Sequence, residues 1–355
     1  MSQLIPNFDY HQHFVSINIV RGLVVESIMA YFRVPNSATL HTIRNFLFQD
    51  EIFDTAGDVA VLEFHPKWAH LEPVALSMIA SWGAWCRRQG KTVEVRNLKG
   101  RENYPARMRL FEHLGIDVDV AQQEHEEVGR FLPIAQVATR SDIQPVIADI
   151  SALLHLDDDP ESLAAVQYCI SELLRNVLEH SAAIDGAFVC AHRFTRKPPH
   201  RVSIAVADCG QGIAAHLGRA HPDALTSDRA ALGLAMRPGV TGAQAGIYGT
   251  PDNAGAGLFI TRCIAKGTGG YFSICSGSGL FRQYRSTSEE EDTLLFFDAY
   301  DDPRYKFWNL PSPWLGTSVA VEIRTDKIAD YEGFFQWIFS QIPSRKTRHR
   351  EIKFT

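Results

Sequence analysis

The chain has 355 residues, too many for one small domain and enough for roughly two of ~150 residues each. Hydrophobic residues make up 45% and charged residues 21%, an ordinary globular balance that excludes an unstructured chain. The 35 basic and 41 acidic residues leave a net charge of −6, which argues against a broad nucleic-acid footprint.

The acidic excess is uneven. Residues 141–325 hold 15 basic and 21 acidic side chains, whereas the last 30 residues are net basic through Arg345, Lys346, Arg348, Arg350 and Lys353. The six cysteines form no C-x-x-C pair, so a reduced compartment is expected rather than a disulfide framework or zinc site. No basic segment followed by an apolar stretch opens the chain, and the longest apolar run, 74–86, contains Ser77, Ser81 and Gly83. That run is too short to span a bilayer, so the expectation is a soluble, cytoplasmic protein with no membrane partner.

In chain order, residues 14–20 and 59–64 read as strands, and 39–48 and 73–88 carry helical spacing of apolar residues. Gly90 ends the second helix, 92–95 resumes a strand, and 106–114 is a last helix closed by Gly115. Strand and helix alternate, which predicts an α/β layer structure over 1–128. A polar stretch at 124–130 marks the boundary. The second domain, 129–326, begins with a strand at 131–137 and a helix at 142–154. The turn Asp157-Asp158-Asp159 then caps a long helix that opens with Pro160 and runs to about His180. Strands follow at 186–194 and 201–207, then a glycine-rich stretch to Gly257 and a helix to about Lys266. The remaining strands start at Tyr271 and Leu294 and cover 317–323. Residues 327–355 leave a C-terminal helix and the basic tail.

The order of elements from Asp58 to Val120 resembles the STAS domain, the fold of anti-sigma-factor antagonists. Those antagonists present a phosphorylatable hydroxyl where the long helix begins. The matching stretch here is His70-Leu71-Glu72-Pro73, with no hydroxyl, so the resemblance implies a regulatory or docking module that is not phosphorylated at that point.

Three motifs of the second domain carry the chemistry. Glu172, Asn176 and His180 recur every four residues, so they drift only ~40° apart and share a helix face. An amide, a carboxylate and an imidazole on an otherwise apolar helix need a polar partner. Next, the β-rich run 204–207 ends in Asp208-Cys-Gly210-Gln-Gly212, a strand-end carboxylate followed by two glycines that let backbone approach a flat ligand. Last, Asn253-Ala-Gly255-Ala-Gly257-Leu258 opens a helix whose N-terminal amides suit an anion. It is neither a Walker loop nor a dinucleotide fingerprint.

Each motif alone is ambiguous, but the compound order is specific: Glu/Asn helix, Asp-x-Gly-x-Gly, long loop, Gly-x-Gly-Leu, then Gly316-Thr317 before a late strand. It resembles the GHKL superfamily of ATP-binding domains across about residues 131–325. The resemblance implies a two-layer α/β sandwich with a mixed sheet and the cofactors ATP and Mg²⁺. It implies Asn176 as the metal ligand and Asp208, supported by Thr317, as acceptor for the adenine amine. Gly210 and Gly212 would line the base and sugar; Asn253, Gly255, Gly257 and Leu258 would bring backbone to the phosphates. Residues 213–253 would form a mobile lid, and Glu172 would be the general base. His180 is open between facing the phosphates and being a satisfied histidine at a helix end.

Two functions follow from the resemblance: a Mg-dependent ATPase or serine/threonine protein kinase, or a nucleotide-gated interaction switch without significant turnover. A histidine kinase fits poorly, since His125-Glu126 is followed by Pro133 and a strand rather than a second long helix. A protein partner or protein substrate is expected, nucleic acid is not, and a homodimer is left open.

Overall fold

The computed structural model describes residues 17–20, 23–26, 30–100, 102–118, 130–153, 160–196, 198–240, 256–285 and 296–325. Residues 124–129 of the expected boundary, with the His125-Glu126 pair, the triple-aspartate turn, the strand start at Leu294 and the C-terminal tail lie outside these residues. Among the described residues no helix is long and apolar enough to cross a membrane.

The chain is α/β, with a small antiparallel pair, β1 (Ile17–Val20) and β2 (Leu23–Glu26), at its start. A parallel three-stranded sheet follows, built from β3 (Ala30–Val34), β5 (Val59–Phe64) and β7 (Thr92–Arg96), with β5 in the middle. The bridge pair β4 (Ser37–Ala38) and β6 (His70–Leu71) is also parallel. Strand β5 and helix α2 (Pro73–Arg88) fall where the apolar periodicity predicts them. Strand β3 escapes a periodicity reading because its sequence AYFRV buries four of five residues rather than alternating.

Two helical expectations are corrected. The helix read at 39–48 is only the short α1 (Ile43–Leu47), because Thr42 turns back on Thr39 and Ser37 through its hydroxyl. The helix read at 106–114 is two short helices, α3 (Asn103–Arg107) and α4 (Leu110–Leu114). Arg109 sits between them in the left-handed region at φ 58°, which ends one helix and re-aims the next. Gly115 closes α4 with φ 72°, as its position implies.

The second part of the chain forms a five-stranded sheet in the order β11-β12-β10-β9-β8, from β8 (Phe131–Val137), β9 (Ala187–Phe194), β10 (Arg201–Ala207), β11 (Tyr271–Gln283) and β12 (Tyr305–Arg324). Among the described residues all its pairings are antiparallel, where a mixed sheet was expected. Two successive helices between β8 and β9 each reverse the chain, so β9 returns antiparallel to β8. Those helices are α5 (Ile143–Leu153) and α6 (Pro160–Asn176). The expected lid is also corrected in part. Its first half folds into α7 (Gly212–Leu217) and α8 (Asp228–Ala235), and α8 is pinned to β11 by Asp228, which accepts from the Ser278 amide and hydroxyl. The last helix of the series is α9 (Gly257–Gly267).

Strand alternation explains how the layers stack. On β9, β10 and β12 the residues Val189, Ile204, Val206, Val319 and Val321 face the core shared with α5, α6 and α9. Their neighbours Phe188, Cys190, Ala205, Ala207 and Ala320 face the opposite way, into a core shared with the N-terminal part. That second face is made largely of small side chains, which admits a helix at close range. The occupant is α2, which buries 14 of its 16 residues between the antiparallel sheet and the parallel one. A helix apolar all round belongs in such a sandwiched position. One continuous hydrophobic core therefore runs from Phe32 and Trp82 to Ala205 and Trp314.

The seam also holds a buried charge cluster. Glu322 of β12 is fully buried and pairs with Arg201 at 2.8 Å, Arg285 at 3.1 Å and His41 at 3.6 Å. Glu72, at the start of α2, accepts from the Leu40 amide and lies 3.4 Å from Arg201. Burial alone would raise the Glu322 carboxyl; the His41 hydrogen bond and the Arg201, His41 and Arg285 charges outweigh it and hold it below its ordinary range.

Candidate functional site

On the α6 side of the antiparallel sheet lies a pocket of about 130 Å³. Its walls include Glu172 and Asn176 from α6, Asp208 after β10, Gly212 at the start of α7, Gly257 and Leu258 at the start of α9, and Thr317 of β12. Seven of the ten residues assigned to the nucleotide site by sequence thus meet in one cavity, joined by His180. Gly210 adjoins it, donating its amide to Asp208 Oδ1 at 2.8 Å. Asn253 and Gly255 lie outside the described residues, as do Gly242, Gly246 and Gly249 of the expected lid. A concave, mainly apolar cavity with a few convergent polar groups is the ordinary form of a small-molecule site.

Helix α6 delivers its residues through a local irregularity. Regular α-helix ends at Asn176, a wider π-turn runs over Val177–Ser181, and Ala182 closes it at φ 52°. The turn keeps His180 on the pocket side, where it stacks on His216 with ring centroids 4.4 Å apart. Single π-turns of this kind are frequent at functional sites. Burial, with His180 beside it, lowers the His216 pKa to about 4, so that imidazole is neutral at physiological pH. The His180 carbonyl accepts from Gln211 Nε2 at 2.6 Å and the Ser181 carbonyl from the Gln211 amide at 2.7 Å. These bonds fasten the end of α6 to the Asp208–Gly212 turn.

Asp208 is fully buried, and burial pushes its carboxyl up to about 7 against the opposing Gly210 and Thr317 backbone groups. Its Oδ1 is satisfied by Gly210, but Oδ2 has no hydrogen-bond partner among the described residues. A buried acceptor left open costs of order 1–3 kcal/mol, so its persistence beside a cavity calls for an explanation in ligand terms.

Glycine is required where backbone meets backbone around this carboxylate. A Cβ on Gly210 would overlap the Ser181 carbonyl, and one on Gly316 would overlap both the Asp208 carbonyl and the Gly210 amide. Gly316 also holds φ 86°, a conformation open mainly to glycine. It belongs to a bulge in β12, where the partner of β11 jumps from Thr317 to Trp314 as β11 steps from Ser276 to Gly277. The bulge brings β12 against the Asp208 turn, a common device beside functional sites. Thr317 lies just past it, its carbonyl accepting from the Asp208 amide at 2.9 Å.

At the other end of the pocket, Glu172 packs against the first residue of α9. A Cβ on Gly257 would overlap its Oε2, so the glycine makes room for the carboxylate. Glu172 Oε1 accepts from Arg175 at 2.8 Å. Burial raises the Glu172 pKa, opposed by Arg175 and assisted by Glu179.

Sequence reasoning missed His216, Ser276 and Trp314 as parts of this arrangement. Ser276 Oγ donates to the Gly316 carbonyl at 2.7 Å and accepts from the Ile213 amide at 2.9 Å. Gly316 was legible as the glycine before Thr317; the three missed residues arrive through strand pairing and helix packing. No family model, curated protein or solved structure matches the chain.

Proposed function

We propose that this pocket binds ATP with Mg²⁺, and that the chain carries a GHKL-type nucleotide site joined to a STAS-like regulatory unit. The observation that carries the reading is the open Oδ2 of Asp208. With Oδ1 taken by Gly210, the carboxylate offers one acceptor, matched to a single exocyclic amine such as that of adenine. A guanine edge, which presents two neighbouring donors, matches it less well. The glycines at 210, 212 and 316 keep the surrounding backbone clear of side chains.

When bound, Mg²⁺ and ATP would supply a transferable phosphoryl group and the cation that neutralises it. On the protein side, Asn176 offers a neutral oxygen to a hard cation otherwise held by phosphate. Gly257 and Leu258 open α9, whose free amides favour phosphate oxygens, and Asn253 and Gly255 join this role from the sequence alone. Glu172 is suited to orient water or a protein hydroxyl and to take its proton, since burial brings its pKa nearer neutrality. The activity expected is a Mg-dependent ATPase or a serine/threonine protein kinase acting on a protein partner.

A second reading, a nucleotide-gated interaction switch without significant turnover, draws support from two observations. Glu172 is already engaged by Arg175, and the N-terminal unit is packed onto the very sheet that carries Asp208. The two are separated by incubating the purified protein with ATP and Mg²⁺ and measuring ADP release and ATP affinity in parallel. Release of ADP that Glu172→Ala abolishes, with affinity kept, supports the enzyme. Binding without release in the wild type supports the switch, and no binding at all defeats the nucleotide reading.

A further inference from the structure

The Asp208 turn is held from behind as well as from the pocket. Trp314 Nε1–H donates to the Asp208 carbonyl at 3.2 Å. Its indole is almost wholly buried and meets Phe53 edge-on at 4.9 Å and Phe32 at 6.2 Å. Those rings contact α2 in turn: Phe53 against Trp85 at 5.1 Å and Phe32 against Trp82 at 5.5 Å, both edge-on. A second tie lies one residue along, where Ser81 of α2 donates its hydroxyl to Cys209 Sγ at 3.0 Å. The Asp208 carbonyl is therefore held by Trp314, whose ring rests on the N-terminal unit, and the Cys209 side chain by Ser81 of that unit, while Asp208 lines the cavity on the other side.

We propose that Trp314 is a positioning residue for recognition of the base, and that through it and Ser81 the N-terminal unit forms part of the nucleotide site. The inference rests on the ATP reading of the pocket and extends it. Asp208 carries a single open acceptor, so its direction decides whether an amine is met squarely. That direction follows from the backbone, and the Asp208 carbonyl has Trp314 as its donor. An aromatic chain with no hydrophilic break, Trp82–Phe32–Trp314 and Trp85–Phe53–Trp314, makes the turn rigid, since tightly packed side chains transmit displacement instead of absorbing it. Packing alone would leave the indole N–H free; here that group is spent on the residue whose side chain faces the pocket.

The test compares ATP with inosine triphosphate, which carries an oxygen in place of the adenine amine, in the 355-residue chain. Trp314→Phe removes the donor and keeps an aromatic ring. The expected result is a threefold to tenfold weaker affinity for ATP, on the order of one lost hydrogen bond, with inosine triphosphate affinity unchanged. The preference for ATP then falls toward that of Asp208→Asn. Should Trp314→Phe not fold, the same ratio is read in Ser81→Ala, where a fall of about twofold or more in preference supports the proposal. A ratio equal to that of wild type in the folded variant overturns it, as does equal weakening toward both nucleotides, which a merely structural role would give. A wild type without any preference for ATP defeats the underlying base reading instead, so the two failures are told apart.

Discussion

The buried Asp208 carboxylate makes a quantitative prediction about stability that needs no ligand. Its pKa in the folded chain is about 7 against an unfolded value near 3.8. A raised pKa means the folded state holds a proton that the unfolded state releases. Stability from this group is thus fully present below about pH 4 and is lost as pH rises through about 7. Between about pH 5 and about pH 8 the folded state binds nearly one extra proton over roughly two pH units. At ~1.36 kcal/mol per unit, the loss over that span is roughly 2–3 kcal/mol. Asp208→Asn removes the titration while leaving an oxygen able to accept from Gly210. Urea denaturation of wild type and Asp208→Asn at both pH values gives the difference directly, because any constant cost of the new amide cancels. Wild type is expected to lose roughly 2–3 kcal/mol more than the variant on going from about pH 5 to about pH 8. In the same pair, ATP binding is expected to be strong in wild type and lost in the variant. Parallel pH profiles for the two proteins would refute the buried-acid argument. A variant that binds ATP as tightly as wild type would refute the role given to Oδ2.

Other substitutions probe neighbouring parts of the structure. Gly210→Ala drives a methyl group into the Ser181 carbonyl and is expected to cost roughly 2 kcal/mol or more, read by thermal unfolding, whereas Gly90→Ala meets no neighbour and strains only its turn. Gly257→Ala presses on the flexible end of Glu172, so ADP release should fall at least tenfold with ATP affinity within about threefold of wild type, and equal losses of both would count against the placement of Glu172. Arg201→Met strips the guanidinium from buried Glu322 and Glu72; chemical denaturation should show a loss of roughly 3–5 kcal/mol at neutral pH. Because Glu322 titrates below its ordinary value in the folded chain, its stabilisation is present above about pH 4.5 and fades as pH falls, so the penalty of Arg201→Met should shrink in acid.

Much of the architecture could be read before folding was considered. Helix α2 and strands β5, β8 and β10 end where apolar periodicity, glycine and proline place them, because local conformation is decided by nearest neighbours along the chain. The convergence of Glu172, Asn176, Asp208, Gly257 and Thr317 was likewise written in their order and residue types. Local rules failed where distant segments intervene. Arg109 takes a left-handed conformation in the middle of a helical pattern, and β3 shows no alternation because four of its five residues are buried.

The sequence by itself therefore determined the inventory: an α/β chain, a helix apolar on every side, and three motifs bearing a carboxylate, an amide and glycines. Only tertiary structure decided what lies behind those motifs. The small residues on the back of β9, β10 and β12 are ordinary alanines, serines and cysteines in the sequence, yet together they form the surface that admits α2. Likewise, neither Trp314 nor Ser81 announces itself by spacing, since each reaches Asp208 or Cys209 across more than a hundred residues of chain. Composition fixed a net charge of −6, but the sheet decided that Arg201, Arg285 and His41 would surround Glu322 and that one buried oxygen of Asp208 would be left without a partner among the described residues. Hydrophobic patterning acts along the chain; the direction of a single buried acceptor depends on which backbone groups folding brings to its other side.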